Sequence, residues 1–229
     1  MAALQHREQL IDAVWEERPP AKPRQALHTY VSGLRAVLEP RRGAGQPPAV
    51  LRRVAAGYRL DLAPDAVDSG RLASLVRTAG TAAARGCPDE ALECAERALA
   101  LWCGPAFADV GTARFVQSEV GRLTELRTTA REIVLAARLA RGEHHLTAAA
   151  GEELTADNPL RESAWALRAL ALHRAGRSAE AVAVLGAARR VLREELGVGP
   201  GPELARLTAQ ILAGDGRALH AATAAAGPR

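Results

Sequence analysis

The hydrophobic residues near the start of the chain recur at helical spacing in two segments, residues 7–15 and 23–38. Steps of three and four residues place these side chains on one face of a helix, so the sequence predicts two amphipathic helices. Prolines separate the two segments and end the first helix. The apolar positions are Leu10, Ile11, Val14 and Trp15 in the first segment and Leu27, Val31, Leu34 and Leu38 in the second.

The opposite face of the second predicted helix carries polar and cationic side chains. A face of this kind can enter the DNA major groove, where donors and acceptors on base edges are read. The ordinary alternative is a solvated surface face, which is common on amphipathic helices. The residues concerned are Arg24, Gln25, His28, Thr29, Ser32 and Arg35.

Two short strand-like segments, residues 50–54 and 57–62, follow a turn region rich in proline and glycine. They predict a β-hairpin that carries Arg52, Arg53 and Arg59. Placed beside a polar helix, these guanidinium groups would contact the phosphates that flank the groove.

The net charge lies in the same part of the chain. Residues 1–64 hold ten Lys or Arg against six Asp or Glu, whereas residues 65–229 hold twenty of each sign. A basic end attached to a neutral remainder indicates an anionic partner at that end. Double-stranded DNA fits both the charge and the predicted helix and hairpin.

Beyond residue 64 the pattern changes to pairs of helices joined by glycine-containing turns. Gly86, Gly142 and Gly176 occupy corresponding points, and the last two are thirty-four residues apart, which is the tetratricopeptide period. Small residues at the positions where paired helices approach closely fit the same repeat. An ordinary helical bundle without repeat stacking remains the alternative. The repeat-position residues are Ala91, Ala98, Pro159, Trp165, Ala181, Leu185 and Ala188.

Seven segments of the chain, taken in order, resemble the Streptomyces antibiotic regulatory protein family (SARP). Its members join an OmpR-type winged helix to a bacterial transcriptional activation domain. The matching segments are residues 7–15 (REQLIDAVW), 26–35 (ALHTYVSGLR), 57–60 (GYRL), 98–106 (ALALWCGPA), 123–127 (LTELR), 158–162 (NPLRE) and 192–198 (LREELGV).

The resemblance implies a mainly α protein with three parts. Residues 1–64 would be an N-terminally truncated winged helix-turn-helix of two helices plus a β-hairpin wing, in which 24–38 is the recognition helix and 50–62 the wing. Residues 65–213 would be a tetratricopeptide-like activation domain. Residues 214–229, rich in glycine and alanine without a clear apolar face, are predicted to be a disordered tail.

The resemblance also implies a function. The chain would be a transcriptional activator of an antibiotic biosynthetic gene cluster that binds direct repeats in promoter DNA and recruits RNA polymerase, with a homodimer as one arrangement. Four arginines are candidates for the partner surface: Arg161, Arg168, Arg189 and Arg190. The alternative is a protein-interaction scaffold of helical repeats that has lost autonomous DNA binding.

Motifs for catalysis are absent from the sequence. It contains no nucleophile elbow, no P-loop and no HExxH zinc motif, so we expect neither an enzyme nor a cofactor. The pair His144-His145 fits a surface turn better than a metal site, and the glycines of residues 197–201 fit a turn between helices. Three cysteines without CxxC spacing and the lack of an apolar signal segment fit a soluble cytoplasmic protein without a membrane partner.

Overall fold

The computed structural model describes residues 3–43, 45–55, 57–110 and 113–214. They divide into two compact units, the first within Met1–Arg71 and Ala106–Gly121 and the second within Leu72–Pro105 and Arg122–Arg229. The described elements are β1 (Ala3–His6), α1 (Arg7–Trp15), α2 (Pro23–Leu38), β2 (Leu51–Val54), β3 (Gly57–Leu60), a 3-10 turn (Pro64–Ala66), α3 (Asp68–Ala84), α4 (Pro88–Ala100), α5 (Arg114–Ala140), α6 (His144–Asp157), α7 (Glu162–Arg174), α8 (Ser178–Leu196) and α9 (Pro202–Ala213).

The two predicted N-terminal helices and the predicted hairpin are confirmed, because α1, α2 and the strands β2 and β3 form in the expected segments. The structure adds a strand that the sequence analysis missed. β1 pairs with β3, so the hairpin is part of a three-stranded antiparallel sheet in the order β1-β3-β2. β1 has only four residues, too few for an alternating pattern to reveal it.

A small core joins α1, α2 and the sheet. Ile11, Leu27, Val31 and Tyr58 are buried together, and three partly buried hydrophobic side chains pack around them. The rest of the predicted apolar face is open, since Leu34 and Leu38 are exposed. Leu27 and Val31 are thus the residues of α2 that this core buries.

The second unit is built from antiparallel helices joined by similar turns. Gly86, Gly142 and Gly176 all have positive φ (72°, 82° and 78°), a conformation that glycine adopts without a steric penalty. After α3, α5 and α7, the residue beyond each glycine donates its backbone N–H to the carbonyl five residues earlier. This is the Schellman ending of a helix, and its threefold recurrence confirms the predicted repeat of helix and turn.

Small side chains lie where the helices of this unit meet. Ala91, Ala98, Ala181 and Ala188 are fully buried, as their repeat positions predict. At Gly151, a Cβ atom would lie 3.0 Å from the Cβ of Arg168, so α6 and α7 approach closely at this point. A core of leucines and alanines from α5 to α9 runs through the stack. The predicted disordered tail begins at Gly214, and residues 215–229 lie outside the described part of the chain.

Candidate nucleic-acid interface

The polar face of α2 is exposed as the sequence predicts. Gln25, His28, Thr29 and Ser32 lie on adjacent turns, away from the buried stripe of Leu27 and Val31. Their side chains therefore form a hydrogen-bonding stripe on the surface of the first unit.

One residue of this stripe, Thr29, and the neighbouring Arg24 also make contacts within the chain. The hydroxyl of Thr29 donates to the carbonyl of Gln25 over 3.1 Å. Arg24, at the first turn of α2, donates to Glu8 of α1 over 2.8 Å. Both side chains of that ion pair are about two-thirds exposed, so the pair adds little stability and leaves Arg24 accessible.

The structure differs from the sequence prediction at Arg35. This side chain is partly buried, and its Nε donates to the backbone carbonyl of Leu51 in β2 over 2.9 Å. Its guanidinium carbon lies 6.0 Å from the centre of the Tyr58 ring. Arg35 thus contacts the wing rather than pointing outward with the rest of the predicted set, because it sits between the buried stripe and the polar stripe of α2.

The strand register divides the three wing arginines between two faces. Residues directly opposite one another in an antiparallel pair share a face of the sheet. Arg53 is opposite Tyr58, whose ring is buried against α1 and α2, so Arg53 belongs to the α2 side. Arg52 is opposite Arg59, and both belong to the other side. The sequence predicts that all three contact phosphates, whereas the register places Arg53 alone of the three on the α2 side.

Arg52 and Arg59 share a carboxylate that the sequence analysis missed. Arg59 contacts both oxygens of Asp61, with Nε–Oδ1 2.8 Å and Nη2–Oδ2 2.9 Å, and Arg52 Nη1 lies 3.4 Å from Oδ2. The hydrogen bond from Arg59 is the largest cause of the lowered pKa of Asp61. Of the three arginines, Arg53 is therefore the exposed cation on the α2 side, while the other two are tied to an internal anion. The charge alternation Arg59-x-Asp61 is the signal that could have revealed this pair.

In the second unit, two of the four predicted partner-surface arginines hold helices together. Arg161 binds Glu132 of α5 through two hydrogen bonds of 2.8 Å and also contacts Glu125. These carboxylates, above all the hydrogen bond to Glu132, raise the pKa of Arg161 above its usual value. Arg168 contacts Glu152 and Thr155 of α6. Arg189 and Arg190 are exposed on α8.

Two other kinds of site are not found in the part of the chain that the structure describes. Within the described ranges, no helix is both long and apolar enough to cross a bilayer. The described side chains also form no cluster of three or more potential metal ligands.

Comparison with known proteins identifies the family. A family model, the bacterial transcriptional activator domain, matches residues 67–212. The Streptomyces peucetius regulatory protein DnrI is 34% identical over 209 residues, covering 90% of this chain and 77% of DnrI. The Streptomyces coelicolor transcriptional regulator RedD is 36% identical over 206 residues, covering 90% of this chain and 59% of RedD.

A solved structure, Mycobacterium tuberculosis EmbR in complex with a low-affinity phosphopeptide, matches with a TM-score of 0.86 and 32% identity. The match covers 96% of this chain and 57% of that one. The chain thus spans little more than half the length of RedD and EmbR. The domain match, the identity to DnrI and the shared fold together show that the chain belongs to the Streptomyces antibiotic regulatory protein family, with a bacterial transcriptional activator domain at residues 67–212.

Proposed function

We propose that this chain is a DNA-binding transcriptional activator of an antibiotic biosynthetic gene cluster. The observation that carries the proposal is the exposed stripe of Gln25, His28, Thr29 and Ser32 on α2, in a family whose members include regulators of transcription. Amide, imidazole and hydroxyl groups supply the hydrogen bonds that distinguish base edges in the major groove.

The cations in the proposal have different roles. Arg53 is exposed on the α2 side of the wing and would contact a phosphate beside the groove. Arg24 is accessible at the first turn of α2 and would contact the opposite flank. Arg52 and Arg59 would contribute less, because Asp61 already neutralises part of their charge.

We further propose that the second unit contacts RNA polymerase or a second copy of the chain, and that the protein acts in the cytoplasm, where the chromosome is accessible. The support is the domain match and the stacked helices, since repeat helices provide extended protein-binding surfaces. Sedimentation of the pure chain would measure self-association. Run-off transcription with purified polymerase, with and without the chain, would measure activation.

The test of DNA binding begins with the full chain and a randomised duplex library. We expect the chain to enrich a sequence with direct repeats and to bind it more tightly than a mixed-sequence duplex of equal length. Removing the phosphate contact of Arg53 (Arg53→Ala) should lower the slope of log affinity against log salt by about 0.9.

The control variant is Arg97→Ala, which removes an exposed arginine from α4 in the second unit. We expect it to leave the salt slope unchanged. If the chain enriches no sequence and its association with duplex is insensitive to salt, the DNA-binding proposal is wrong.

One observation supports the alternative, a protein-interaction scaffold. Val37 is 77% exposed, and Tyr30 and Leu34 are more than half exposed on the same side of α2, away from the polar stripe. Exposed apolar groups of this kind favour contact with protein rather than with nucleic acid. The scaffold alternative predicts association that neither competing duplex nor added salt weakens.

A further inference from the structure

The end of α2 is attached to the start of the wing by two side chains one helical turn apart. Arg35 donates its Nε hydrogen to the carbonyl of Leu51 over 2.9 Å. Glu39, the residue that follows α2, accepts from the backbone N–H groups of Ala49 and Val50 through Oε1, over 2.7 Å and 3.3 Å. We call Arg35 and Glu39 the α2–wing latch.

The latch is partly shielded from water, since two of its three hydrogen bonds are part-buried and the bond from Ala49 is exposed. Both side chains are partly buried, and Nη2 of Arg35 and Oε2 of Glu39 are excluded from solvent. Arg35 also lies against the Tyr58 ring, which belongs to the core of the first unit. Hydrogen bonds to charged groups in such surroundings are stronger than those on an open surface.

The covalent connection between α2 and β2 does not fix the wing by itself. Its described residues contact each other, with Arg42 donating to the carbonyl of Gln46 and the Gly43 N–H donating to the Gln46 side chain. Because these contacts stay within the connection, the start of β2 is held by its pairing with β3 and by its contacts with α2. The latch restrains that strand, because it holds residues 49–51 directly.

We propose that Arg35 and Glu39 are positioning residues, which lock β2 against the end of α2 and so fix Arg53 relative to the polar stripe of the helix. The inference rests on the proposed DNA-binding function and deepens it. Arg53 is two residues beyond Leu51 in the same strand, so the position of its guanidinium follows that of the latched backbone. Because the latch orders β2 before DNA binds, the contact between Arg53 and a phosphate does not carry the entropy cost of ordering that strand.

Direct DNA contact by Arg35 is the competing explanation, and Glu39 separates the two. A carboxylate repels phosphate, so a charge-based account predicts that removing Glu39 strengthens DNA binding. The latch predicts instead that removing Glu39 lowers the contribution of Arg53 to DNA affinity. The variants Glu39→Ala and Glu39→Gln have the same net charge, but only the Gln side chain keeps an oxygen that can accept from Ala49 and Val50.

The first measurement needs no DNA. Amide hydrogen exchange in the full chain should be about fivefold faster at residues 49–51 in Glu39→Ala, as expected from losing a hydrogen bond of about 1 kcal/mol. Glu39→Gln should exchange nearly as slowly as the parent chain. Arg35→Lys, which keeps a donor and a cation beside Tyr58, should exchange more slowly than Arg35→Ala. Exchange within α2 before Arg35 should stay constant and serves as the internal reference.

The second measurement is a double-mutant cycle on the duplex that the parent chain selects. In the parent, Arg53→Ala should weaken binding by about tenfold, the usual size for a charge-assisted hydrogen bond. In the Glu39→Ala background the same change should cost less than about twofold, and in Glu39→Gln it should again cost about tenfold. Glu17→Gln, which removes an exposed carboxylate from the same unit, controls for charge.

Three results are decisive. The latch is supported if exchange at residues 49–51 is faster in Glu39→Ala and if Arg53→Ala costs little DNA affinity in that background but about tenfold in Glu39→Gln. Unchanged exchange in both Ala variants, or an equal Arg53 effect in every background, overturns it. If the parent chain selects no duplex, the proposed function is wrong, and the exchange measurement alone then decides whether the latch holds the wing.

Discussion

Replacing Arg161 by alanine should strongly destabilise the second unit. Arg161 lies between α6 and α7 and donates two hydrogen bonds to Glu132 of α5, whose side chain is only 4% exposed. Ser163 also donates to Glu132. Without Arg161, this carboxylate would stay buried with a single neutral donor.

The magnitude follows from the unequal burial of the two partners. Breaking a buried ion pair by removing one member costs about 3 to 5 kcal/mol, because the remaining charge is not compensated. The second partner of Arg161, Glu125, has a side chain that is 61% exposed, so losing that contact adds less than about 1 kcal/mol. We therefore expect Arg161→Ala to lower the free energy of unfolding by about 4 kcal/mol.

The assay is urea denaturation followed by the fluorescence of Trp165. This indole donates to the carbonyl of Pro159, two residues before Arg161, and Trp165 is 7% exposed, so it reports on the affected region. Changing Trp15 and Trp102 to phenylalanine in every variant, the parent included, leaves it as the single tryptophan of the chain. The slope of the transition should stay constant if only stability changes.

Two variants complete the test. Glu125→Gln should cost less than about 1 kcal/mol because its side chain faces solvent. Adding Glu132→Gln to Arg161→Ala should recover at least about half of the loss, since it removes the uncompensated charge. A cost below about 1 kcal/mol for Arg161→Ala, or no recovery in the double variant, would refute the reasoning.

Three further predictions concern other parts of the chain. Gly33→Ala should stabilise α2 by about 1 kcal/mol, because alanine favours the helix and nothing lies within 4 Å of the added Cβ. A lower temperature of thermal unfolding would contradict this prediction. In Arg59→Ala, the pKa of Asp61 should rise towards its usual value, measurable by carbon NMR, because Arg59 is the main cause of its depression. In the parent chain, the lowered pKa means that the Arg59–Asp61 pair contributes to folding stability above the usual carboxyl pKa and that this contribution is lost as pH falls through the lowered pKa. An Asp61 titration that is unchanged in Arg59→Ala would contradict the assignment. Leu154→Ala, at a fully buried position, should cost about 3 to 5 kcal/mol, whereas Leu212→Ala, at a position 65% exposed, should change stability by less than about 0.5 kcal/mol in the same denaturation assay.

Much of the fold could be predicted from the sequence because helices are local. The spacing of apolar residues gave α1 and α2 to within about one residue, and the glycines at 86, 142 and 176 marked the turns of the repeat. β1 was missed for the opposite reason. A four-residue strand is stable only through its hydrogen bonds to β3, more than fifty residues away in the chain.

The candidate interface was predictable only in part. The exposed face of α2 can be predicted from helical periodicity, because the spacing of apolar and polar residues within the helix is enough to separate its two faces. The partners of the wing arginines depend on strand register, because a shift of one residue moves each side chain to the other face of the sheet. For that reason Asp61 is recognised as the shared partner of Arg52 and Arg59 only in the structure.

The sequence by itself determined the helical repeat, the basic N-terminal unit and the polar stripe from Gln25 to Ser32, since each depends on the spacing or count of residues along the chain. Only the tertiary structure decided that Arg35 attaches to the wing, that Asp61 holds Arg59, and that Arg161 holds Glu132. Each of these contacts joins separate elements or depends on how strands are paired, and an arginine side chain can reach several acceptors. The packing around the side chain determines which acceptor it binds, and that packing involves residues that are distant in the sequence.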